Sequence, residues 1–168
     1  MTISIYKTLV PTVIHNLQNL SAILKKAEAH AEAKKIDPSV FINARLFPDM
    51  FPLVRQVQIA CDTAKAGAAR LAEIEIPSYA DNEQSFSDLQ ERITKTINFL
   101  KTIKANQLDE KEELKISYHQ HGRDRNFIGL PYLLNYVLPN IFFHITTTYA
   151  ILRHNGVEIG KKDYLGNA

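Results

Sequence analysis

The chain predicts an all-α fold: four long helices, with one small β-hairpin ahead of the last. Three observations carry that prediction. Apolar residues recur three and four positions apart through four separate stretches, the period of a helix that buries one face. Residue types that start and stop helices fall at the ends of those stretches. Strand-like alternation occurs once, at Leu114, Ile116 and Tyr118, and nothing suggests a parallel sheet. At 168 residues the chain reads as a single domain spanning 1–168, long enough to bury a core.

The first helix is expected over residues 4–34, with Leu9, Val13, Leu17, Leu20, Leu24, Ala27 and Ala31 as its buried face. Pro11 lies in its early turns and predicts a bend, because proline supplies no N–H donor. The helix ends in strong helix formers and basic residues, which suits the C-terminal dipole. Residues 36–48 form a connection in which Asp37 and Pro38 read as the cap and first residue of a short helical turn. The second long helix is expected over residues 49–73, capped by Asp49, with Pro52 in its first turn. Leu53, Val57, Ala60, Ala64 and Leu71 face inward, and Ala60, Ala64, Gly67, Ala68 and Ala69 are small enough for another helix to approach closely.

Residues 75–84 hold Pro77, Ser78, Asp81 and Asn82, a turn-rich loop. Ser87 and Gln90 have capping-box spacing and are expected to open the third helix, which runs to residue 104. Leu89, Ile93, Thr96 or Ile97, and Leu100 line its buried side, and Asp88, Glu91, Arg92, Lys95 and Lys101 read as solvated charges. The hairpin follows, with Gly122 at its turn and residues 125–128 as the returning strand. Pro131 then starts the fourth helix, which runs to His154 and stops at Asn155-Gly156, with a kink predicted at Pro139. The remaining tail reads as irregular chain laid across the bundle.

Composition excludes several classes of function. Lys and Arg number 20 against 18 Asp and Glu, so the net charge is only +2, and the basic residues are scattered. A nucleic-acid surface needs a concentrated positive field, so no nucleic-acid partner is expected. No window holds 18 uninterrupted apolar residues, and the N-terminus lacks the pattern of a secretory signal, so no membrane partner is expected either. A lone cysteine, Cys61, suits a reduced cytoplasmic setting and reads as a buried filler rather than a nucleophile. Phosphate-binding loops, serine-nucleophile elbows and dinucleotide fingerprints are missing.

The candidate site is a polar stripe on the fourth helix. Asn140, His144 and Thr148 lie four apart within an otherwise apolar face, as a pocket in a bundle core requires. On the second long helix Arg55, Gln58 and Asp62 share one face and are the candidate partners across the core. Two readings stand for each group: a ligand-binding cluster, in which a carboxylate would tune the imidazole, or a satisfied core histidine beside a solvated polar edge. Metal spacing is poor, with no Glu-x-x-His and no histidines four apart. His119 and His121 share a strand face and form either a weak two-histidine site or an exposed pair.

Three blocks resemble a known family: Leu20 to Ala31 (LSAILKKAEAHA), Asn43 to Asp62 (NARLFPDMFPLVRQVQIACD) and Pro139 to Gly166 (PNIFFHITTTYAILRHNGVEIGKKDYLG). They are similar to a bacterial and fungal family of unknown function within the DinB/YfiT-like superfamily. The resemblance implies a DinB-like four-helix bundle in up-down-down-up order, often a homodimer, with a divalent metal held by three histidines in typical members. It puts His144 at the second position of the histidine pair, Asn140 at the first, and Gln56 or Gln58 near the remaining ligand. His144 is thus the only retained metal candidate, and no cofactor is expected. The favoured reading is a small-molecule pocket, with catalysis left open. The alternatives are a residual metal-dependent transferase or hydrolase, and a dimeric stress-response or interaction protein.

Overall fold

A computed structural model describes residues 3–120 and 122–166. It is mostly helical, with one two-stranded antiparallel hairpin. Eight α-helices are formed by the described residues: α1 (Ile5–Lys34), α2 (Pro38–Ile42), α3 (Leu53–Leu71), α4 (Phe86–Thr102), α5 (Ala105–Leu108), α6 (Gly129–Tyr132), α7 (Leu138–His154) and α8 (Lys161–Leu165). The hairpin, β1 (Lys115–Gln120) and β2 (Arg123–Ile128), precedes α6, and a π-helical turn, Leu133–Val137, joins α6 to α7.

Each long helix buries the stripe its sequence period predicts. On α1 all seven inward positions, from Leu9 to Ala31, are fully buried. Ser4 caps this helix by accepting from the Lys7 amide, and the helix continues through Pro11. Helix α3 packs on α4 and α7, and α1 packs on the same two helices from the other side. The small residues of α3 permit that approach: a Cβ at Gly67 would lie 2.6 Å from Val137 Cγ1 of the π turn.

Several local expectations are corrected. Helix α3 starts at Leu53, four residues after Asp49, because the backbone at Pro52 is extended and serves as an N-cap without a side-chain hydrogen bond. Ser85, not Ser87, caps α4: its hydroxyl accepts from the Asp88 amide while Asp88 accepts from the Ser85 amide. Arg92 is not solvated. It is 2% exposed, and its guanidinium bonds Asp62 and Glu83, both at 2.7 Å, and the carbonyl of Ala80 at 3.1 Å. Lys65 joins Asp62 at 3.0 Å and stands 3.7 Å above the Tyr79 ring. This network ties the 72–85 connection to both helices it links.

Pro139 does not interrupt the last helix. The π turn ends just before it, so the widened turn accommodates a residue that lacks an N–H and would crowd the carbonyl one turn back. The tail is not irregular throughout: α8 docks on α1, where Asn19 donates to the Tyr164 carbonyl and Lys26 pairs with Asp163. No helix among the described residues is long and apolar enough to cross a membrane.

Candidate functional site

His144 lies on α7 facing α3, where it is 9% exposed. Its Nδ1 is 2.6 Å from Oε1 of Gln56. The direction of that bond follows from the other end of the glutamine. Gln56 Nε2 donates to the backbone carbonyl of Phe51 at 3.0 Å, an atom that can only accept. The amide oxygen must therefore face the imidazole, and Nδ1 must carry the hydrogen. Nε2 is left with a free lone pair, a tautomer imposed by the chain.

The His144 ring borders a cleft of about 310 Å³ between α3 and the α6–α7 run. From α3 come Arg55, Ile59, Asp62, Thr63, Ala66 and Arg70, which lie on one helical face. Tyr132, Tyr136, Asn140 and His144 line the opposite wall, and Gln120 and Arg125 of the hairpin close one end. Burial, and then the nearby positive charge of Arg55, push the His144 pKa down to about 4, so the imidazole is neutral at physiological pH.

The six sequence candidates separate into two groups. Arg55, Asp62, Asn140 and His144 all border the cleft. Gln58 and Thr148 are buried away from it. Gln58 accepts from Arg55 and donates to Glu83, and Thr148 returns its hydroxyl to the His144 carbonyl. Asp62 borders the cleft but its carboxylate is bonded to Arg92 and Lys65, not to the imidazole. Arg55 reaches across to Asp81 at 2.5 Å. His119 pairs with Asp124 on the exposed hairpin, whereas His121, the other half of the proposed pair, lies outside the described residues.

Two charged cleft residues escaped the sequence reading, Arg70 and Arg125; of the two glutamines that the resemblance offered, Gln56 is the imidazole's partner, behind the cleft wall. Arg70 lies fifteen residues after Arg55, close to the same helical face, which is the signal that would have found it. Its guanidinium carbon is 3.6 Å from the Tyr118 ring centroid and its Nη1 donates to Tyr132 Oη at 3.1 Å.

The donor chemistry does not fit the three-histidine metal site that the resemblance implies. Gln56 oxygen lies at Nδ1, on the opposite side of the ring from the Nε2 lone pair, so the two cannot converge on one ion. No group of three or more His, Cys, Asp or Glu converges elsewhere among the described residues.

Residues 5–165 match the family described as Domain of unknown function (DUF1993). The chain belongs to that family. A crystal structure of a DinB family member from Shewanella denitrificans is 43% identical in sequence, with a TM-score of 0.89, over 97% of this chain and 92% of that one. No curated protein matches. The DUF1993 chain therefore shares the DinB fold, including the hairpin before the last helix.

Proposed function

We propose that this DUF1993 protein binds a small polar organic molecule in the cleft between α3 and α7, without a resident metal ion. One observation carries the reading: His144 Nε2 is held as a neutral acceptor at the wall of a 310 Å³ recess, with Gln56 fixing its tautomer. That volume is at the lower end of the range for small-ligand sites. Asn140, four residues earlier on the same wall, adds an amide donor and acceptor. Such a wall favours a ligand with a hydroxyl or amide hydrogen to donate to Nε2. The positive charge of Arg55 and the committed Gln56 oxygen both disfavour a divalent cation there. The up-down-down-up helix order belongs to the same reading; it is supported by the pairing of α3 and α1 with the same two neighbours. Cytoplasmic placement is supported by the free, buried Cys61.

The test is a fragment screen read by NMR at His144. Cleft ligands should shift the His144 ring signals of the wild type. Zinc, nickel and manganese should neither bind stoichiometrically nor raise the melting temperature. Stoichiometric metal in protein purified without chelator would overturn the metal-free reading and favour the residual transferase.

A second reading, homodimerisation, has its own observation. Phe143 is 57% exposed and, with Leu46, Met50 and Phe142, borders an apolar recess over α7; Phe47, 63% exposed, lies beside Leu46 in the adjoining loop. Phe143→Glu should convert a dimer to a monomer in light scattering; a wild-type monomer removes the reading.

A further inference from the structure

The hairpin end of the cleft carries charge that nothing in the fold neutralises. Arg70 and Arg125 both border it, and neither lies within ion-pair distance of a carboxylate among the described residues. They are brought together by Tyr118. Arg125 is its cross-strand partner in the hairpin register, so the two side chains leave the same face of the sheet. Arg70 covers the ring of that same tyrosine at 3.6 Å. Among the described residues the buried Nε of Arg125 has no hydrogen-bond partner, and the buried Oη of Tyr118 has none either.

Two half-buried guanidiniums beside one aromatic ring repel each other. A buried N–H donor left without an acceptor adds a desolvation cost of roughly 1–3 kcal/mol. The other charges around the cleft are already engaged: Asp62 with Arg92 and Lys65, and Arg55 with Asp81. An oxyanion placed between Arg70 and Arg125 would remove the repulsion and satisfy the orphan donor, using the planar fork geometry that makes arginine selective for such groups.

We infer that Arg70 and Arg125 form an oxyanion subsite, so that the ligand of this cleft is a small organic carboxylate or phosphate. Its anionic head lies at the hairpin end, its body runs along Tyr136, and its polar tail reaches Asn140 and the acceptor Nε2 of His144. This rests on the small-molecule reading above and adds the charge class of the ligand and its direction in the cleft.

The test uses the full chain at constant ionic strength, with benzoate and inorganic phosphate as anionic probes and benzamide as the neutral counterpart of benzoate. Binding is followed by calorimetry and by the His144 ring signals. Benzoate should bind about tenfold or more tighter than benzamide. Arg125→Met should remove that preference by weakening benzoate far more than benzamide, and Arg125→Lys should restore part of it. Arg70→Met should act in the same direction; if it fails to fold because Tyr118 and Tyr132 lose their partner, the Arg125 pair decides alone. Phosphate binding without benzoate binding, lost in Arg125→Met, supports the subsite and assigns it a tetrahedral head group. Equal binding of benzoate and benzamide, both shifting His144 and both indifferent to Arg125, overturns the subsite and leaves the cleft reading intact. If no probe shifts His144, both fall.

Discussion

The neutral imidazole of His144 makes stability fall in mild acid, by an amount that can be worked out. An unfolded histidine titrates near 6.5, whereas burial and Arg55 hold the folded one at about 4. Between those values the unfolded chain binds the proton and the folded chain does not. Stability is therefore complete above about pH 6.5 and lost as the pH falls toward about 4. For a single group with those two constants, the loss between about pH 7.5 and pH 5 is about 2 kcal/mol, from the ratio of the two protonation equilibria. His144→Asn isolates this contribution, because an asparagine amide N–H can replace Nδ1–H toward Gln56 and does not titrate. Urea unfolding of both proteins at about pH 7.5, 6.5, 5.5 and 5 should show the wild type losing about 2 kcal/mol more than the variant. The other histidines and the carboxylates are common to both proteins and cancel. Parallel stability profiles would mean that His144 titrates alike in both states, and the buried, Gln56-fixed tautomer would be wrong.

Two further outcomes test the packing that positions the cleft. Arg92→Met should destabilise the protein by about 3 kcal/mol in urea at neutral pH, because Glu83 and Asp62 lose a buried partner; a loss below about 1 kcal/mol would show the network to be dispensable. Gly129→Ala should cost several kcal/mol, since its Cβ would fall 1.8 Å from the carbonyl oxygen of Lys111, a backbone atom that cannot swing away. Gly160→Ala, where a Cβ meets nothing within 4 Å, is the control, and equal melting temperatures for the two variants would refute the close approach.

The helices were legible because burial follows a period that the residues themselves carry. What escaped depended on partners distant in sequence. Arg92 sits three residues after Leu89 and four before Thr96, squarely on the buried face, yet its charge argued for solvent until Asp62 and Glu83 supplied counter-charges from other elements. Gln56 and Gln58 are polar residues of the same helical turn, and composition cannot say which one meets His144. The angular difference between them decides it: Gln56 meets α7, while Gln58 turns toward Glu83. Arg125 was recoverable in principle. The register pairs Tyr118 with Arg125, with Gly122 marking the turn, and the inward face of one strand then assigns the inward face of the other.

The π turn links these observations to the shape of the cleft. Tyr132, Tyr136, Asn140 and His144 are each four residues apart, and in a regular α-helix every such step rotates by about 40° around the axis. Three steps would carry the last residue well away from a groove that the first one lines. The wider turn at Leu133–Val137 underwinds the helix at that point and turns the early part of the row back. All four side chains then border one recess. Pro139 favours such a turn, since it supplies no donor to the preceding α-helical turn. The same proline that reads as a kink in the sequence thus keeps the aromatic end of the cleft in line with its imidazole end.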